Sequence, residues 1–406
     1  MLSTPVIHYV WLGVMMFIIT FIVSWSIYPV VLRAARVHKI YDRPGARKLQ
    51  ERPVPVLGGV AVFAGMFVGL ALFSTFAFSS KSIWAVLAMA TMLVVGVLDD
   101  KYGLGVKLRF AIEIAVVFLI IYINTSAIDN FEGIWGVDMM EPWAVYALSI
   151  LSGVGLMNAI NLIDGVDGYS SGFSMVACIE FALVFYISRV PGMGIICLVC
   201  AGSQLPFFLH NVFGKRTKMF IGDGGTLMIG TMITAFCFSI IKHSSASYKL
   251  LFQEHGVALI PLCLAIMAIP VFDTLRVMFT RALKGRSPFS PDKTHLHHAF
   301  IDLGYSHIGT TLKIIQINLA ILAGWAIAWA LGASATLQLY VVAALGVLFT
   351  FVLYPVLRAL QKRRGFLSAM SAKMAAFSHI ENSKPWRWMQ KLVDDELFAE
   401  GKDEMF

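Results

Sequence analysis

The sequence predicts an all-α, polytopic membrane helix bundle of about 11 transmembrane helices, with its N-terminus outside and its C-terminus in the cytoplasm. Three observations predict it. Of the 406 residues, 58% are hydrophobic and 14% charged, with a mean hydropathy of +0.76; soluble domains carry about 25% charge and about 45–50% apolar residues. The apolar residues gather in runs long enough to cross ~30 Å of hydrocarbon. Lys and Arg, finally, alternate between crowded and nearly empty loops. The same composition excludes disordered, collagen-like, coiled-coil and disulfide-scaffold chains.

The runs lie near 8–32, 56–78, 82–98, 108–124, 142–160, 170–188, 192–210, 226–242, 256–280, 312–331 and 336–358. The first lacks a charged leader and a small-residue cleavage site, so it reads as a retained helix. Seven basic residues follow it (Arg33, Arg36, Lys39, Arg43, Arg47, Lys48 and Arg52). In alternate loops, 26 Lys and Arg fall on one side and four (Lys81, Arg189, Lys242 and Lys249) on the other. That asymmetry orients the chain and favours an odd number of spans. The net charge of +8 therefore reads as helix orientation and contact with anionic lipid, with no nucleic-acid partner. The five cysteines all sit in apolar runs and read as packing residues, Cys197 and Cys200 included.

Without a detectable repeat or linker, residues 1–360 read as one transmembrane domain and 361–406 as a cytoplasmic tail. The tail opens on Lys362-Arg363-Arg364, followed by Phe366, Leu367, Met370 and Trp386. That pattern suits an interfacial amphipathic helix or a solvated tail.

In so apolar a chain the placement of acids is informative, because an ionisable group at membrane depth costs roughly 2.5–3.5 kcal/mol and defaults to a functional hypothesis. Asp99-Asp100 ends the third run. The stretch Asn161-Leu-Ile-Asp164-Gly-Val-Asp167-Gly168 ends the fifth, and Phe220-Ile-Gly-Asp223-Gly-Gly225 opens the eighth. The ninth loop carries Ser287-Pro-Phe-Ser-Pro-Asp-Lys-Thr-His295-Leu-His297-His298. All four fall on the predicted cytoplasmic side. Adjacent carboxylates such as Asp99 and Asp100 repel and need a cation, a hydrogen-bond network or open water. One helical turn would place Asp164 and Asp167 on a common face. Glycines flanking Asp223 read as a loop wrapped around a ligand or metal, or as a tight turn. The three histidines, among Arg281, Lys284, Arg286 and Lys293, look more like a phosphate site than a zinc site, since cations oppose a second cation. The aspartates, oxygen donors only, favour Mg²⁺. Together the clusters point to phosphoryl transfer involving a lipid.

In their order and wording these four motifs resemble the polyprenyl-phosphate N-acetylhexosamine-1-phosphate transferases, over about Lys48 to His298. They look most similar to the bacterial branch that attaches GlcNAc-1-phosphate to undecaprenyl phosphate. Leu296 interrupts the histidines where the phospho-MurNAc-pentapeptide transferases carry three in a row, and Asp99-Asp100-Lys101-Tyr102-Gly103 departs from the family's D-D-x-x-D. The resemblance implies a multi-pass enzyme of the bacterial inner membrane, its active site on the cytoplasmic face. It would convert UDP-GlcNAc and undecaprenyl phosphate to undecaprenyl-diphospho-GlcNAc and UMP, the first membrane step of O-antigen, common-antigen or teichoic-acid assembly. It implies Mg²⁺ as cofactor, with Mn²⁺ as second candidate, and a homodimer as candidate assembly. Asp99 and Asp100 would bind metal and act on the lipid phosphate. Asp223 would bind metal, joined by Asn161. Asp164 and Asp167 would lie near the uridine and diphosphate. Arg281, His295, His297 and His298 would hold nucleotide phosphates, with further substrate contacts at Lys48, Lys107, Asn161 and Asn211. The alternatives are the phospho-MurNAc-pentapeptide reaction and, from a different class, a secondary transporter; a transporter would place acids near the midplane in repeated halves.

Overall fold

The computed structural model describes residues 4–42, 44, 52–77, 80–124, 126–290, 292–362 and 366–395. The chain is mostly helical (77%). In order the helices are α1 (Thr4–Val37), α2 (Gly58–Ala77), α3 (Ser80–Tyr102), α4 (Val106–Asn124), α5 (Pro142–Leu162), α6 (Tyr169–Ile187), α7 (Pro191–Phe213) and α8 (Gly222–Ile241). They continue as α9 (Leu259–Ile266), α10 (Ala268–Leu283), α11 (Leu296–Asp302), α12 (His307–Ala330), α13 (Ala335–Val347), α14 (Leu353–Lys362), α15 (Phe366–Ala376) and α16 (Lys384–Asp395). Every predicted run falls on helix. Among the described residues, seven helices are long and apolar enough to cross a bilayer. An eighth is added if the pair Tyr248–Glu254 and Leu259–Ile266, bent by 110°, forms one span. That is fewer than the predicted count, and α4 shows one reason: Lys107, Arg109 and Glu113 lie within its 19 residues. The run at 256–280 is interrupted at Met267, between α9 and α10.

Helix α8 is the hub, buried on nearly every side between α2, α3 and α5. Small residues permit this. A Cβ on Gly96 of α3 would stand 2.1 Å from Gly224 N, and one on Gly59 of α2 would stand 2.4 Å from Gly225 Cα. The glycines after Asp223 therefore serve close helix packing, which corrects the reading of a loop wrapped around a ligand. Gly222 differs: its φ of +76° is in the left-handed region that glycine adopts without strain.

A second contact joins α1, α2 and α7. Ser24 donates to Ser203 O at 2.8 Å, and a Cβ on Gly202 would stand 2.4 Å from Phe17 O. Large apolar side chains remain on the outside of α1, with Trp11 69% exposed, as a lipid-facing helix requires. All five cysteines are free and buried.

At the end of α8 away from Asp223, strands β3 (Asn130–Ile134) and β4 (Val137–Met139) pair antiparallel, after the two-residue strands β1 (Tyr41–Asp42) and β2 (Val54–Pro55). The buried Glu132 carboxylate accepts from the backbone N–H groups of Leu259 and Ile260 and so caps α9. The described part of the tail does not lie free: Trp386 packs on Phe213 with ring centroids 4.5 Å apart, and Val393 is buried.

Candidate active site

The four sequence motifs converge at the end of the bundle where α8 begins. Helix α3 delivers Asp99 and Asp100, the α5–α6 turn Asp164 and Asp167, α8 Asp223, and α11 His297 and His298, with His295 just before it. Asp100 Oδ2 accepts from Asp223 N at 2.9 Å, on the first turn of α8, while burial and the neighbouring Asp223 push the Asp100 carboxyl up to about 8. Gly222 makes the approach possible, because a Cβ there would stand 2.5 Å from that same oxygen.

Arg109 is the cation that joins the acids. Its guanidinium lies 3.1 Å from Asp99 Oδ2, 3.3 Å from Asp223 Oδ2 and 3.2 Å from the fully buried Glu113. It also donates to Asn158 Oδ1 at 3.1 Å, and the Asn158 amide donates to Glu113. Asp99 is fixed from its other side by Leu104 N at 2.7 Å. Asn161 donates to Asp223 Oδ1 and to Thr226 Oγ1, each at 2.9 Å, so it orients the aspartate. Sequence reading missed Arg109, Glu113 and Asn158. In the sequence Arg109 looks like one more loop charge, whereas Glu113, a lone acid in an apolar run, is a visible signal.

Asp164 and Asp167 do not share a helix face. Residues 163–168 form a turn, not a helical turn, and the two carboxylates have different partners. Asp164 accepts from Ser170, and burial pushes its carboxyl up to about 7. Asp167 lies 2.6 Å from Lys218 Nζ and 2.7 Å from His307 Nδ1. Burial alone would raise its carboxyl, but His307 and Lys218 outweigh burial and hold it below the usual range. The partners come from the loop after α7 and from the first residue of α12, and nothing in the local sequence announces them.

Asn211 is buried, and its amide spans two loops. It accepts from Gly168 N at 2.7 Å and donates to Met219 O at 3.0 Å, so its described bonds position loop backbone. Lys107 is exposed on the first turn of α4. Lys48 lies outside the described residues.

The histidine segment is held by buried ion pairs. Asp273 binds Arg276 at 2.7 Å and His295 Nδ1 at 2.9 Å, and it accepts from Leu296 N. Arg281 makes a two-pronged contact with Asp292 at 2.9 and 3.0 Å and donates to Pro288 O at 2.7 Å. It fastens the loop to α10. His297 is the exception. It is 2% exposed, and neither ring nitrogen has a hydrogen-bond partner. Burial holds it well below the ordinary imidazole value, and hence neutral, while burial lowers His298 to about 4. His297 Nε2 faces the α5–α6 turn so closely that a Cβ on Gly165 would stand 2.3 Å away. A buried polar group without a partner is costly unless a ligand supplies one.

The acidic centre offers oxygen donors only, and Arg109 between Asp99 and Asp223 shows that these carboxylates call for positive charge. Among the described residues, no group of three or more His, Cys, Asp or Glu side chains is placed to hold a metal ion. An open set of carboxylates fits a hard cation shared with substrate phosphates, the usual manner of Mg²⁺.

The chain is similar to known proteins over most of its length. Residues 82–241 match the model of glycosyl transferase family 4. The chain is 30% identical to a Bacillus subtilis (strain 168) protein named probable undecaprenyl-phosphate N-acetylglucosaminyl 1-phosphate transferase, over 75% of this chain and 82% of that one. It is 29% identical to the undecaprenyl-phosphate alpha-N-acetylglucosaminyl 1-phosphate transferase of Escherichia coli (strain K12), over 68% and 72%. It is also 29% identical to the decaprenyl-phosphate N-acetylglucosaminephosphotransferase of Mycolicibacterium smegmatis, over 67% and 71%.

Proposed function

Because the chain belongs to glycosyl transferase family 4, the polyprenyl-phosphate N-acetylhexosamine-1-phosphate transferases, we propose that it transfers GlcNAc-1-phosphate from UDP-GlcNAc to undecaprenyl phosphate. The products are undecaprenyl-diphospho-GlcNAc and UMP. The observation that carries this reading is the single end of the bundle where Asp99, Asp100, Asn161 and Asp223 meet beside a buried, unpartnered His297.

An oxygen of the lipid phosphate attacks the β-phosphorus of the donor, and the bond to the α-phosphate oxygen breaks to release UMP. A lipid phosphate is largely ionised at neutral pH, so Asp99 need not remove a proton and acts by position. Asp100 and Asp223 would hold Mg²⁺, or Mn²⁺ in its place. When bound, the ion supplies positive charge to the diphosphate. Arg109 keeps Asp99 and Asp223 in register, and Asn161 sets the rotamer of Asp223. His297, neutral and unpaired, offers a ring N–H to a donor phosphate, with His295 and His298 beside it. Asp167 faces the nucleotide portion. We place this end of an eleven-span bundle on the cytoplasmic face of a bacterial inner membrane, following the charge asymmetry. The product would enter cell-surface polysaccharide assembly.

Purified protein given UDP-GlcNAc should release UMP only when undecaprenyl phosphate is present, and more slowly from other UDP-sugars. Release without the lipid, or preference for UDP-MurNAc-pentapeptide, would overturn the assignment.

A further inference from the structure

We propose that the C-terminal helices α15 and α16 belong to the donor-binding machinery, with Asp394 and Ser378 as positioning residues that set the two partners of Asp167. The inference rests on the role proposed for Asp167 in holding the nucleotide donor.

The first anchor is Asp394, on the last turn of α16. Its carboxylate accepts from three successive backbone N–H groups, those of Lys215, Arg216 and Thr217, at 3.1–3.2 Å, and from Thr217 Oγ1 at 3.0 Å. Successive amides converging on one carboxylate form an anion-binding nest. The same loop is also held from α1, where Arg36 donates to Arg216 O. Thr217 O accepts from Tyr28 at 2.8 Å, and Thr217 Oγ1 meets the buried His210 at 3.1 Å. The next residue, Lys218, is the one that reaches Asp167.

The second anchor lies between the tail helices. Ser306 N donates to Ser378 Oγ at 2.9 Å, Ser306 Oγ donates to Ser378 O at 2.6 Å, and the His379 ring meets Gly304 O at 2.9 Å. Ser306 caps α12, whose first residue, His307, is the other partner of Asp167. Each anchor therefore holds the residue immediately before a contact to Asp167. Between the anchors lies a cleft of about 330 Å³, with Asp167 and His307 on one wall and His379, Glu381 and Trp386 of the tail on the other. Residues of the tail thus share a cleft with Asp167 and His307.

Asp394→Asn should retain shape but lose the anion that the three amides require. Amide hydrogen exchange should accelerate at Lys215, Arg216 and Thr217. The KM for UDP-GlcNAc should rise about tenfold, a size typical of losing a charge-assisted contact, while kcat and the KM for undecaprenyl phosphate change less than about twofold. In a Lys218→Ala background the same change should add less than about twofold, because Asp394 acts through Lys218. Ser378→Ala, on the His307 side, should raise the same KM by about threefold. Unaltered exchange in Asp394→Asn would show that the nest is not formed. Faster exchange with an unchanged donor KM, a fall confined to kcat, or full additivity with Lys218→Ala would each overturn the proposal. A wild type that releases no UMP would instead refute the proposed reaction and leave the exchange result standing.

Discussion

Arg109 makes the acidic centre stable before any ligand arrives, because Asp99, Glu113 and Asp223 all face it within 3.3 Å. Among the described residues Arg109 is the one cation that joins these three carboxylates. In this half-buried setting its removal leaves them facing one another, whereas removing one carboxylate still leaves Arg109 two partners. Arg109→Ala should therefore lower the thermal midpoint in detergent and reduce UMP release by more than about tenfold. Adding Glu113→Gln should recover much of the midpoint but not the activity. A single variant that melts like the wild type would show that the network does not hold the fold. Asp223→Asn tests the other half of the centre: expression and melting should be preserved while turnover falls at least about a hundredfold. Near-normal turnover at low Mg²⁺ would remove Asp223 from the metal site. At this scale the aspartates were legible in the sequence, since a carboxylate stands out in so apolar a chain. Lys218 and His307 were not, because they stand 51 and 140 residues from Asp167 and only the folded loops bring them together.

Glu132 shows what an element gains from one buried acid. The β3–β4 hairpin presents it to the first N–H groups of α9, and burial pushes its carboxyl up to about 8 from 4.5. The folded state therefore holds this proton more tightly than the unfolded chain. Its contribution is complete below about pH 4.5, declines as pH rises towards 8, and is constant above. Glu132→Gln should flatten the fall of the melting midpoint across that window, and an unchanged pH profile would contradict the assignment. The helices themselves were legible from apolar run length, and every predicted run is helical. The hairpin was not, because its residues carry no alternating apolar pattern. The glycines around Asp223 were misread for a related reason. In sequence, a glycine that lets two helices touch looks the same as one that lets a loop wrap a ligand; Gly96, on another helix, decides between them.

The whole molecule has two unlike ends, separated by the length of α8, about 30 Å for its 20 residues. One gathers the acids, the histidines and the tail; the other carries the hairpin and the Glu132 cap. On the proposed orientation the first end would face the cytoplasm. A cysteine introduced at the exposed Asp138 should react with an impermeant thiol reagent from outside, and one at the exposed Lys293 only after the membrane is opened. The five native cysteines are buried and should add little background. The reverse pattern would invert the orientation.

In the proposed reaction a phosphorylated sugar, not a bare sugar, crosses from nucleotide to lipid. It is tested most directly with UDP-GlcNAc labelled separately at the β-phosphate and in the uridine, incubated with the protein and undecaprenyl phosphate. The β-phosphate label should appear in the organic phase, attached to lipid, and the uridine label in water as UMP. Uridine label recovered as UDP, with the β-phosphate label still in water, would contradict it.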